Sequence, residues 1–296
     1  MLRPKQITER QADGELENIY HDIKQTLRVS GVNLLFRVWA GYKNFLPEVW
    51  RAFRPNAETR VFEDMAAGVR VRGAELAWAL GPLRAAEAAP LGQSQAYQLD
   101  AALDLYRYIN PKLLLIVSAV AMALEGEILG RGAEHTPIER IERGIPARMC
   151  PMEMVSEKPD DKPLRELFEN IKQTLSLKSL NSDYRTLALW PMYLFVLWGK
   201  LAPVVRRPEY SAACASLREF SRNHVRGLPL SFQLQKFRES GDHDELLESA
   251  HDFERLLPGL ILNMTLTCLD RHPLERCLAS PFPAASRSAM PVETLV

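Results

Sequence analysis

Ile23-Lys24-Gln25-Thr26-Leu27 and Ile171-Lys172-Gln173-Thr174-Leu175 are the same five residues, 148 positions apart. At that offset, with no gap, Leu16 falls on Leu164, Tyr20 on Phe168, Asn33 on Asn181, Arg37 on Arg185 and Ala40 on Ala188. Further on, Leu46 falls on Leu194, Trp50 on Trp198 and Pro55 on Pro203. Five matching residues could arise by chance, but Trp, Arg and Pro repeating in the same register could not easily do so. The chain therefore reads as two copies of one unit, and such a repeat governs every later assignment.

The unit is helical. Leu16, Ile19, Tyr20, Ile23 and Leu27 recur at the spacing of one helix face, and Leu164, Leu167, Phe168, Ile171 and Leu175 copy that stripe. Leu246, Leu247, Ala250, Phe253, Leu256 and Leu257 make another. Alternating strand patterns are scarce. The expectation is an all-α protein whose two repeats face each other as an internal pseudo-dimer. The later parts match more weakly: Gly81-Pro82-Leu83 resembles Gly227-Leu228-Pro229-Leu230, and Leu113 to Ile116 falls on Ile261 to Met264. Residues 1–144 are taken as the first repeat, 145–163 as a proline-rich, charged linker and 164–296 as the second repeat. The Pro/Ser/Ala-rich tail after Ser280 is expected to be loose.

Composition narrows the function classes. Lys plus Arg and Asp plus Glu both number 37, so the basic excess of a nucleic-acid binder is missing. The opening MLRPKQITERQADGELE has no apolar core and does not read as a signal peptide. The longest apolar run, Leu113 to Leu124, falls short of the 20 or so residues that cross a bilayer and is expected to be a buried helix. Cys150, Cys214, Cys268 and Cys277 form no C-x-x-C pair, which suits reduced thiols in a cytoplasmic protein.

No G-x-G-x-x-G, Walker loop or G-x-S-x-G is present. Glu248-Ser249-Ala250-His251 has an E-x-x-H spacing, but a di-iron bundle needs that motif on two helices and there is one copy. His243 and His251 are too isolated to suggest zinc. More informative are polar residues that one half has and the other lacks. Asp183 aligns with Leu35, and Asn110 aligns with Pro258. One carboxylate and one amide, each kept in a single half, suit one asymmetric site where the repeats meet. On spacing alone each has a plain structural reading too, Asp183 as a helix cap and Asn110 as the residue before Pro111.

At these residues the chain resembles the DehI-type 2-haloacid dehalogenases. The resemblance lies in Gly14-Glu15-Leu16-Glu17, Ile19-Tyr20, Thr26-Leu27-Arg28-Val29, and Phe45-Leu46-Pro47 with Trp50. It continues through Tyr108-Ile109-Asn110-Pro111-Lys112, Ser182-Asp183 with Trp190-Pro191, and Leu201-Ala202-Pro203-Val204. Val225-Arg226-Gly227-Leu228-Pro229 and Ser280-Pro281-Phe282-Pro283 complete it. The resemblance implies hydrolysis of 2-haloalkanoic acids to 2-hydroxy acids with inversion, a site between the halves, no metal, no organic cofactor, and a homodimer without nucleic-acid or membrane partners. It assigns Asp183 and Asn110 as catalytic, with Ser182 and Tyr108 beside them. An ionised Asp can take a proton from an attacking water, and the Asn oxygen can hold the other proton and aim the oxygen at carbon. In one respect this sequence departs from the family. Two substrate-pocket positions that carry Trp and Phe in the family are here Gly31 and Leu34, which implies a larger or reshaped pocket. Alternative readings are a cofactor-free lyase, cyclase or hydrolase acting on a larger carboxylic acid, or a helical binding protein that keeps the pocket without catalysis.

Overall fold

A computed structural model describes residues 6–130 and 138–287. Its secondary structure is helical, and the described residues pair as strands only in three isolated bridges. In the first half run α1 (Gly14–Leu27), α2 (Leu34–Trp39), α3 (Phe45–Ala57), α4 (Arg60–Ala79), α5 (Ala85–Ala88) and α6 (Gln93–Glu125). The second half runs α7 (Lys162–Thr174), α8 (Ser182–Leu187), α9 (Pro191–Val205), α10 (Pro208–Val225), α11 (Gln235–Arg238) and α12 (His243–Leu269), and α13 (Leu274–Leu278) follows.

The two long helices α6 and α12 pack on each other, and α4 and α10 pack against both and against one another. A helix enclosed on all sides needs apolar residues on all sides. The stretch Leu113–Leu124 meets that need, with every residue buried. α6 is long and apolar enough to cross a membrane, but here nearly all of its apolar stretch is covered by protein.

The same contacts recur at the 148-residue offset. The Trp50 indole N–H donates to Asp22 at 2.7 Å, and Trp198 donates to Asn170 at 2.7 Å. Phe36 meets Trp50 edge-on at 6.1 Å, as Tyr184 meets Trp198. After α1 and α7 the chain turns through positive φ at Arg28 (61°) and Ser176 (53°). The Val32 N–H bonds Glu9, and the Leu180 N–H bonds Glu157. The Ile7 N–H bonds the Arg37 carbonyl, and the Val155 N–H bonds the Arg185 carbonyl. Residues 155–163, read from sequence as linker, therefore make the contacts that residues 7–15 make ahead of α1. Proline and charge hid this, because the segment is ordered by partners in α8 and the turn before it rather than by its own periodicity.

The tail also differs from expectation. Residues 281–287 are tied down by Arg28, which donates to the carbonyls of Phe282 (3.2 Å) and Pro283, and by a bridge from Ser286 to Ile141. Phe282 is buried edge-on against Tyr108. The strap has few residues that order themselves, so its anchorage depends on Arg28, more than 250 positions away in sequence.

If the twin tryptophans do equivalent work, Trp50→Phe and Trp198→Phe, which keep the ring and delete the N–H donor, should each cost about 1 kcal/mol. Urea unfolding measures both, and a cost confined to one half would show that the twin contacts are not equivalent.

Candidate active site

α8 starts at Asn181, and its first turn carries Asp183. In the first half the side chain of Asn33 caps α2 by accepting the Leu35 N–H at 3.0 Å. With Asp at the equivalent of Leu35, the backbone N–H of Asp183 supports its own carboxylate, and Asn181 makes no cap bond. Asn181 Oδ1 is left buried with no donor from the protein. The sequence reading of Asp183 as a helix cap is thereby set aside.

Asn110 lies in the middle of α6, just before Pro111, which has no N–H to give the carbonyl of Arg107. Its side chain crosses to the second half. Asn110 Nδ2 donates to Asp183 Oδ1 at 2.7 Å, with both residues buried. The two groups touch directly, with no room for a water between those atoms. Asn110 Oδ1 is buried and has no donor from the protein. Ser182 Oγ lies 3.4 Å from Asp183 Oδ2, a weak contact that leaves this oxygen the freer one.

Burial pushes the Asp183 carboxyl up to about 6, against the pull of the Asn110 donor, its own N–H and Ser182. An amide donor steadies an anion less than a cation would, so the desolvation penalty prevails. The group is ionised at neutral pH and still basic enough to accept a proton.

Tyr108 is not at this pair. Two residues along a helix turn the side chain by about 200°, so Tyr108 and Asn110 leave α6 on opposite sides. Tyr108 OH instead accepts from Arg28 at 3.0 Å and Lys112 at 2.8 Å, and Lys112 pairs with Glu63 at 2.7 Å. Burial opposes the charge on Glu63, but Lys112 overcomes it and holds the carboxyl below its usual value. The tyrosine on the face of Asn110 is Tyr106, four residues earlier. Its hydroxyl bonds Thr186 at 2.7 Å and feels the charge of Asp183. Helical phase around Asn110 could have identified Tyr106 from sequence. Arg28, Glu63 and Lys112 carried no such signal, because buried charges on a helix read as a solvated face.

The structure thus unites Ser182, Asp183 and Asn110 in one hydrogen-bonded group, while Gly31 lies in the loop before α2 and Leu34 is the first residue of that helix. The space beside Gly31 is not open. A Cβ built there would lie 3.6–3.8 Å from three atoms of Met152. The segment carrying Met152 is anchored at both halves, by Ser30 Oγ on the Cys150 carbonyl and by Thr186 Oγ1 on the Glu153 carbonyl. Phe36 and Trp39 meet edge-on in the buried core of the first half. The E-x-x-H histidine, His251, bonds Glu125 at 2.8 Å.

The family model described as halocarboxylic acid dehydrogenase DehI matches residues 30–184. An (R)-2-haloacid dehalogenase of Pseudomonas putida is 33% identical over 282 residues, which are 90% of this chain and 91% of that protein. A configuration-inverting 2-haloacid dehalogenase of Pseudomonas sp. (strain 113) is 32% identical over 75% of this chain and 74% of that one. The crystal structure of a D-2-haloacid dehalogenase mutant superposes with a TM-score of 0.78 at 29% identity, over 91% of this chain and 98% of the other. With a third of its residues shared over nine tenths of its length, this chain belongs to the DehI family.

Proposed function

We propose that this chain hydrolyses 2-haloalkanoic acids to 2-hydroxy acids, using a water activated by Asp183 where the two halves meet. The observation that carries the reading is the buried 2.7 Å bond between Asn110 and Asp183, which places one carboxylate of near-neutral pKa beside one unengaged amide oxygen. The attacking water gives one proton to Asp183 Oδ2 and the other to a hydrogen bond with Asn110 Oδ1. Its oxygen bonds C2 from the side opposite the halogen, the carbon–halogen bond breaks with both electrons on the halide, and the configuration inverts. Asp183 then returns its proton to solvent. Fixing the water by two acceptors supplies orientation, and a base near the working pH supplies the proton transfer.

The twin contacts support a finer reading of the fold, in which the halves are copies of one ancestral unit arranged as an internal pseudo-dimer. The second copy then begins near residue 155, because Val155 and Glu157 repeat the bonds of Ile7 and Glu9. The substrate's size is set partly by Met152, whose flexible thioether chain fills the side of Gly31 that a larger residue would otherwise occupy.

Asp183→Asn and Asn110→Ala should each lower halide release from 2-chloropropionate by about a hundredfold or more. A single turnover in oxygen-18 water should put the label in the hydroxy acid; label in the Asp183 carboxylate would show direct attack through an ester. With the Asp183 pKa near 6, kcat/KM should rise with pH through about 6 and then level off. The same raised pKa stabilises the fold only at low pH, below the unfolded value near 3.9, and that contribution is lost as pH rises through about 6. Asp183→Asn should therefore gain about 3 kcal/mol over wild type at pH 8 and little at pH 4, as read by urea unfolding. Met152→Ala should raise the kcat/KM for 2-chlorohexanoate relative to 2-chloropropionate roughly tenfold, the value of one methylene-sized contact; an unchanged ratio would remove Met152 from the pocket wall.

A further inference from the structure

The two halves differ most in a place the reaction does not use. On the face of α6 away from Asn110, the first half is filled by Glu63, Tyr108, Lys112 and Arg28 and sealed by Phe282. At the 148-residue offset those four polar positions become Ser211, Leu256, Leu260 and Ser176. The filling is gone, and a cavity of about 320 Å³ lies between α10 and α12, walled by Leu175, Val205, Leu256 and Leu260.

Two arginines survive the change: Arg70 and Arg107 of the first half correspond to Arg218 and Arg255, and both line the cavity. Their balance differs. Lys112 and Glu63 pair in the first half, whereas the Glu63 position here is an uncharged serine. Arg255 pairs with Asp252. Among the described residues Arg218 has no ion pair within 4 Å. The nearby carboxylate it feels, Glu254, lies closer to Arg222. At the cavity wall, Tyr210 OH donates to Asn263, so those two groups satisfy each other.

We propose that this cavity is a binding site for a monocarboxylic acid with an apolar body, its carboxylate on Arg218 and its chain along Leu256, Leu260 and Val205. A free guanidinium in a half-buried setting matches a single carboxylate by two parallel hydrogen bonds. A doubly charged phosphate fits less well, because Glu254 and Asp252 stand close to the same arginines. At about 30 Å³ per water-sized group, the space holds on the order of ten non-hydrogen atoms. The site is independent of the haloacid reading, since neither Asp183 nor Asn110 lines it.

The test is calorimetric titration of the full chain with octanoate, and with 1-octanol as the uncharged probe. Octanoate should bind saturably, one per chain, and 1-octanol at least tenfold more weakly. Arg218→Gln, at a half-exposed position, should weaken octanoate at least tenfold. Ala215→Trp, which fills the cavity from an exposed wall position, should abolish binding. Asn110→Ala should leave it unchanged. The proposal is overturned if octanoate does not saturate, if 1-octanol binds equally well, or if Arg218→Gln and Ala215→Trp bind like wild type. Loss of binding in Asn110→Ala would also overturn it, by moving the ligand to the other site.

Discussion

A carboxylate has been taken wholly out of water at Asp183 and given an amide, not a cation, as its partner. A lone buried charge of this kind is expensive, and an arginine in place of Asn110 would reduce the expense while holding the carboxyl fully ionised and weakly basic. The amide leaves the pKa near 6, where the group is both charged and able to take a proton at neutral pH. The surroundings follow from that choice. α6 has to be enclosed on all sides so that the Asn110 side chain crosses to α8 through protein, and α4, α10 and α12 provide the enclosure.

The cations are kept on the other side of α6. Arg28 and Lys112 gather around Tyr108, with Glu63 and Glu142 balancing them, and the 200° turn between residues 108 and 110 keeps their field behind the helix. Arg28 also holds the strap at Phe282 and Pro283, so one buried guanidinium joins α1, α6 and the end of the chain. At the 148-residue offset the second half carries Ser211, Leu256 and Leu260 where the first has the acid, the tyrosine and the lysine, and a cavity lies there whose Arg218 has no ion pair among the described residues. One side of α6 thus carries the carboxylate–amide pair, while the face behind is a charged network in the first half and, at the 148-residue offset, a pocket in the second.

How much was legible depends on how local the cause is. The twin helices were legible because apolar periodicity and the repeat of Trp50 at Trp198 are properties of neighbouring residues. Asp183 and Asn110 were legible because the 148-residue offset sets them against Leu35 and Pro258, so each polar residue stands out as present in one half alone. Tyr108 was misplaced because the motif spelling Tyr-Ile-Asn-Pro-Lys hides which face of the helix each residue leaves from. The strap read as loose and residues 155–163 read as linker because both are ordered by partners far along the chain.

The amino-acid sequence by itself determined an all-helical chain, its internal register and the two side chains that meet at the site, since these follow from spacing and from comparison of one half with the other. Only the tertiary structure decided that Asp183 and Asn110 touch without a water between them, that Met152 occupies the side of Gly31, and that the charges of Arg28 and Lys112 face away. Each of these is set by distances between segments brought together when α6 is enclosed. Such distances depend on how neighbouring side chains fill space, which residue spacing does not encode.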